Sequence, residues 1–136
     1  MEIDRALLAR EAVLAKENAY VPYSHFRVGA ALLTAGGVIY RGCNIENAAY
    51  SPTNCAERTA IFKAVSEGER SFAAIAIAGD THDYLYPCGV CRQVLMEFCD
   101  PKTFEIILVK NERELKSFTL EALYPGGFSA EDLHKI

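Results

Sequence analysis

Residues 72–79 read FAAIAIAG, an unbroken run of small and β-branched apolar side chains. A strand with one wet face alternates apolar with polar residues, whereas a run without polar interruption suits a strand covered on both faces. That reading decides the fold class, because helices must then lie on either side of a sheet. Upstream, CAERTAIFKAVSEG (55–68) has helical character, with Thr53 or Asn54 as N-cap and Gly68 at the far end. Downstream, a short helix begins near Pro87–Gly89 and runs to about Cys99, before a strand in FEIILVK (104–110) and a weaker one in ELKSFTL (114–120). Nearer the start, FRVGAALLT (26–34) and VIYRG (38–42) form a hairpin through AGG, since glycine accepts positive φ. Residues 2–19 predict a helix with Ile3, Ala6, Leu7, Val13 and Leu14 on one face, Leu8 off it, and Pro22 closing the segment. NIENAAYSPTN (44–54) is a polar loop, and TLEALYP (119–125) a short helical stretch before the tail GGFSAEDLHKI. Together these elements predict one α/β domain over residues 1–136. Its expected form is a three-layer α/β/α sandwich on a central mixed β-sheet of about five strands.

Composition narrows the partners. The 136 residues are 51% hydrophobic and 24% charged, with a net charge of −4, so no basic stripe offers itself to a phosphate backbone. Small partners are favoured over nucleic acid. The start, MEIDRALLAREAVLAKENAY, is broken by charges every few residues and lacks the apolar core of a signal peptide. No run approaches membrane-spanning length, so no membrane partner is expected and the default location is cytoplasmic. There the five cysteines, Cys43, Cys55, Cys88, Cys91 and Cys99, stay reduced, and an odd, unevenly spaced set does not suggest a disulfide framework.

YPCGVCRQ (86–93) places Cys88 and Cys91 in the spacing shared by redox enzymes, structural zinc knobs and catalytic zinc sites. A redox pair would leave Cys55 unexplained. Cys55 and the Cys88–Cys91 pair both stand where the chain passes into a helix, whose unpaired N–H groups favour thiolate. Two such helix starts aimed at one point supply three thiolates. A structural zinc needs a fourth protein ligand, for which Cys43, His25 and Cys99 are candidates; a catalytic zinc keeps that position open. Cys43 and Cys99 read more simply as small buried side chains, and His25 as a turn histidine. Glu57, two residues after Cys55, could reach a point beyond the helix tip. A glutamate in a first helical turn is also favoured by the helix dipole whatever its chemistry. Local features leave both readings open.

NCAERTA (54–60) followed by PCGVCRQ (87–93) is far more specific than either half. The combination resembles the zinc-dependent cytidine deaminase family, in particular the small three-cysteine type that assembles as homotetramers. The likeness extends through YVPYSHFRVGAALLT (20–34), GCNIENAAYSPTNCAERTAIFKAVSEG (42–68) and LYPGGFSAEDL (123–133). It implies one zinc ion per subunit on Cys55, Cys88 and Cys91, with Glu57 as the proton shuttle. It further implies substrate contacts at Phe26, Asn44, Glu46, Ala56 and Phe128. Asn44 and Glu46 would take the ribose hydroxyls, Phe26 would flank the pyrimidine, and Phe128 would reach a ring in a neighbouring subunit. Arg58 would hydrogen-bond the thiolates and offset their charge. The implied reaction is hydrolytic deamination of cytidine and 2′-deoxycytidine to the uridine analogues with release of ammonia, a step of pyrimidine salvage. Two positions depart from the family pattern: Tyr86 stands where a small hydroxyl residue is usual, and Val90 where alanine is. A deaminase of polynucleotides and a zinc-stabilised interaction module are the rival readings. Salt dependence would expose the first, and a fourth protein ligand the second.

Overall fold

The computed structural model describes residues 2–134. Helix α1 (Arg5–Ala15) leads through a 3-10 turn at Lys16–Asn18 to strands β1 (Val28–Thr34) and β2 (Ile39–Cys43). Helix α2 (Ala56–Ser66), strand β3 (Phe72–Gly79), helix α3 (Gly89–Phe98) and strand β4 (Glu105–Val109) follow. Strand β5 (Leu115–Thr119) and the short helices α4 (Leu120–Leu123) and α5 (Ala130–His134) complete the described chain. The five strands form one sheet in the order β2-β1-β3-β4-β5. Only the β3–β4 pair is parallel, joined across the sheet by α3, so the sheet is mixed. Among the described residues, no helix is long and apolar enough to cross a membrane.

Strand periodicity sorts the core into two layers. Ala30, Leu32, Ile75, Ile77, Ile106 and Leu108 point to one face and pack with Ala60 and Ile61 of α2 and Leu95 of α3. Their neighbours Ala31, Leu33, Ala74, Ala76, Ala78, Ile107 and Val109 point to the other face, against α1. The FAAIAIAG run is thus β3, buried on both sides as its composition requires. The AGG hairpin forms as well, with Gly37 at φ 92°, a value L-residues rarely adopt.

Helix α1 turns a different face inward from the one its large residues suggest. Leu8, Ala9, Ala12 and Ala15 are buried, while Leu14 is 51% exposed and Ala6 lies in solvent. The reason is close approach. A Cβ on Gly29 of β1 would lie 2.1 Å from the Ala12 carbonyl oxygen, so the helix backbone rests directly on the strand. Only alanines fit along such a seam, and Leu8 fills the space at its end. The helix is also shorter than residues 2–19, because Asp4 caps it by accepting from the Leu7 N–H at 3.0 Å. Leu8→Ala should therefore cost about 2–5 kcal/mol, and Leu14→Ala no more than about 0.5 kcal/mol. Urea unfolding of the two variants would measure both. Equal losses would mean that the buried face is assigned wrongly.

Candidate metal and catalytic site

Helices α2 and α3 start beside one another on the same side of the sheet, and each begins with a cysteine. Cys55 is the N-cap of α2, not Thr53 or Asn54, and its side chain makes no capping bond. Asn54 is committed elsewhere: it exchanges backbone hydrogen bonds with Ile45, and its amide donates to the Thr59 hydroxyl at 3.1 Å. Cys88 is the N-cap of α3, with its sulfur accepting from the Cys91 N–H at 3.5 Å. The Sγ atoms of Cys55 and Cys88 are 3.8 Å apart, and those of Cys88 and Cys91 3.4 Å. Sulfurs each about 2.3 Å from a tetrahedral zinc stand about 3.8 Å apart, so this donor set fits that ion. Among the described residues it is the one cluster of three or more potential metal-ligating side chains, and His25, Cys43 and Cys99 do not join it. Burial raises the thiol pKa of Cys43 and Cys99, which favours their uncharged form.

Electrostatics favour the thiolate at Cys55. The Cys91 thiol, followed by Arg58, holds the Cys55 thiol well below its usual value against the effect of burial. The Cys91 thiol is pushed up, first by its bond to Cys55 and then by burial. Arg58 Nη2 donates to Cys55 Sγ at 3.3 Å, while its buried Nε has no hydrogen-bond partner. The guanidinium thus stands against the sulfurs as a fixed positive charge.

Glu57 lies one residue beyond Ala56 in the first turn of α2 and is only 5% exposed. Burial pushes its carboxyl up to about 7. It shares with Cys55 and Cys88 a cavity of about 270 Å³ that is also lined by Phe26, Asn44 and Ala56. Larger hollows lie elsewhere, including one of about 600 Å³ between α3 and α5, but none of those described reaches Cys55, Cys88 or Cys91. Phe26 packs where a side chain on Gly79 would otherwise sit. Asn44 pins the neighbouring strand, accepting from the Val28 N–H and donating to the Phe26 carbonyl, both at 2.9 Å. Val28, Thr53 and Leu85 also line the cavity; nothing in their local sequence signals it.

Glu46 and Phe128 stand apart from that cavity. Glu46 borders an adjacent hollow with Tyr23 and Tyr50, and accepts from the Tyr23 and Ser24 N–H groups at 3.0 and 3.1 Å. Its carboxyl sits below the ordinary glutamate range, chiefly through Ser24. Phe128 is 51% exposed and does not line its own chain's cavity. Tyr86 borders the cavity, while its ring tilts against Phe118 of β5 with centroids 5.9 Å apart. The bulk of Val90 is spent in solvent, at 56% exposure.

Comparison with known proteins bears on this geometry. Residues 1–106 match the family model of the cytidine and deoxycytidylate deaminase zinc-binding region. The cytidine deaminase of Sporosarcina psychrophila is 53% identical over 133 residues, covering 98% of this chain and 96% of that one. That of Halalkalibacterium halodurans is 52% identical over 132 residues, covering 97% and 99%. A crystal structure of cytidine deaminase from Burkholderia pseudomallei superposes with a TM-score of 0.88 at 45% identity, covering 93% of this chain and 100% of that one. With two helix starts converging three thiols on a zinc-sized point, and with these likenesses along nearly its whole length, the chain belongs to the cytidine and deoxycytidylate deaminase family of zinc-dependent aminohydrolases.

Proposed function

We propose that the protein deaminates free cytidine and 2′-deoxycytidine to uridine and 2′-deoxyuridine, releasing ammonia, as a step of pyrimidine salvage. The observation that carries this reading is the position of Glu57, buried at the wall of a cavity that also exposes Cys55 and Cys88. Cys55, Cys88 and Cys91 hold zinc, one ion per subunit. When bound, zinc lowers the pKa of a water molecule from about 15.7 towards about 7, which makes hydroxide available at neutral pH. Glu57 accepts the proton that water gives up and delivers it to N3 of the ring as C4 gains the oxygen. The same carboxyl then takes the proton of the new C4 hydroxyl and passes it to the amino group as the C4–N bond breaks, which leaves a C4 carbonyl, a protonated N3 and ammonia. A single group serves both transfers best when its pKa lies near the working pH, and burial brings Glu57 there. Arg58 offsets the charge of the three sulfurs.

Phe26 and Ala56 border the base, and Asn44 and Glu46 the sugar. Both polar groups have acceptor or donor capacity left beyond the bonds they already make. Phe128 completes the site of a neighbouring subunit in a homotetramer; its exposure, and its not lining its own chain's cavity, support that role. We place the enzyme in the cytoplasm. Free nucleosides, not polynucleotides, are the substrates, in keeping with the net charge of −4. Incubation with cytidine should release ammonia at a rate that changes by no more than about twofold between ~50 and ~200 mM salt. A cytosine-bearing single strand, assayed alongside it and gripped through its phosphates, would instead lose about 10³–10⁵ in affinity over that range. Absence of ammonia, or a salt dependence of that steepness, would refute the assignment.

A further inference from the structure

Phe26 reaches the cavity from a short segment between the first loop and β1, whose own bonds run from the Phe26 N–H to the Ser24 hydroxyl and from the His25 N–H to the Val21 carbonyl, both at 3.0 Å. His25, immediately before it, has φ 58°, a left-handed conformation that non-glycine residues seldom adopt unaided. Beyond these local bonds, the segment is clamped from both sides. Asn44 grips it from one side through the Phe26 carbonyl and the Val28 N–H. On the other side stands Asp80, the first residue after β3. Its N–H donates to the Arg27 carbonyl at 2.9 Å, and its Oδ2 accepts from the Arg27 N–H at 3.0 Å. The same carboxylate takes the Arg27 guanidinium in two bonds, at 2.9 and 3.2 Å, and the Lys16 ammonium at 3.2 Å. One side chain thus fixes the residue between Phe26 and Val28 by backbone and side chain together. Gly79, its immediate neighbour, leaves the space in which the Phe26 ring rests. Arg27 holds the Asp80 carboxyl well below the usual carboxylate range, so the clamp stays charged at any pH used for assay.

We propose that Asp80, which does not line the thiol cavity, is a positioning residue for the deamination, aiming the Phe26 ring through its grip on Arg27. This assignment rests on the substrate reading given above. It predicts a specific kinetic pattern, because a ring that only flanks the base contributes the same binding before and during reaction. In Asp80→Asn the new amide N–H₂ faces the Arg27 guanidinium, donor against donor, and the clamp opens. KM for cytidine should rise roughly three- to tenfold, the range expected for a misplaced aromatic contact. The kcat should stay within about twofold, and zinc content should be unchanged. Asp80→Glu keeps the ion pairs but moves the carboxylate off the Arg27 N–H. It supplies a second test if the Asn variant folds poorly, and should also raise KM.

A merely structural Asp80 would lower the melting temperature and leave KM alone. The deciding measurement is a double-mutant cycle with Phe26→Leu, using KM as the readout. If Asp80 acts through the ring, adding Asp80→Asn to Phe26→Leu brings no further rise. Unchanged KM in both Asp80 variants, or increments that add in full on the Phe26→Leu background, would overturn the assignment while leaving the substrate reading intact. Failure of the unsubstituted protein to turn over cytidine would overturn the substrate reading, and this assignment with it.

Discussion

Glu57→Gln is expected to abolish useful turnover, lowering kcat for cytidine by about 10²–10⁴-fold, while zinc stays bound. The substitution is nearly isosteric, and although the Glu57 carboxyl meets the Cys91 thiol, it is not one of the three sulfur donors that form the cluster. An amide can still donate and accept hydrogen bonds, but it cannot take a proton from water and return it. The loss therefore belongs to kcat, while KM moves little if the amide occupies the same wall of the cavity. Stability should not fall. Glu57 is buried, and its carboxyl is pushed up to about 7 by that burial, so a neutral side chain suits the position at least as well. Metal content, melting temperature and kcat measured on one preparation separate the cases. Near-normal turnover with zinc present would remove Glu57 from the chemistry. Lost zinc would show instead that the carboxylate supports the metal.

The parts of this fold that were legible in the sequence share one cause: their signal is local. β3 has no polar residue to place, so its run of apolar side chains has a single reading. Gly37 and Gly68 occupy φ 92° and 99°, where glycine alone is at ease, and each marks the end of an element as anticipated. The Cys-x-x-Cys pair on α3 owes its geometry to one helical turn. Misreadings arose where the deciding contact lies far along the chain. The inward face of α1 is chosen by Gly29, more than a dozen residues away, which brings the helix too close for leucines. Asn54 looks like an N-cap until its partnership with Ile45 is seen. α5 is a different omission. Ser129 and Asp132 exchange side-chain and backbone hydrogen bonds as a capping box, a signal present in the tail but obscured by the two glycines before it. At the site, residue types could propose the three thiols. Only the meeting of α2 and α3 could bring Cys55 within 3.8 Å of Cys88.

That meeting depends on a residue with no side chain, which yields the second large expected effect. Gly42 lies in edge strand β2, paired with Ala30, directly beneath the first turn of α2. A Cβ there would lie 2.4 Å from the Ala56 carbonyl oxygen, 2.5 Å from the Ala60 nitrogen and 2.9 Å from the Ala60 Cβ. Two of these are backbone atoms of the helix and cannot rotate away, so α2 must lift from the sheet. Overpacking of this kind costs about 1–3 kcal/mol, or more where backbone meets backbone. The turn that lifts is the one carrying Cys55 and Glu57, while Cys88 and Cys91 stay with α3. Gly42→Ala should therefore lower stability and widen the thiol triangle. A shift of about 1 Å can cost ~10²-fold in rate, and the zinc should leave faster to a chelator. Gly36→Ala is the matched control, since the only heavy atom near its Cβ is the Thr34 hydroxyl at 3.9 Å, and its cost should stay within about 0.5 kcal/mol. Urea midpoints together with zinc release would decide it. A stable Gly42→Ala protein that holds its metal as the parent does would mean that α2 can move without disturbing the cluster, and that α3 alone sets the position of the zinc.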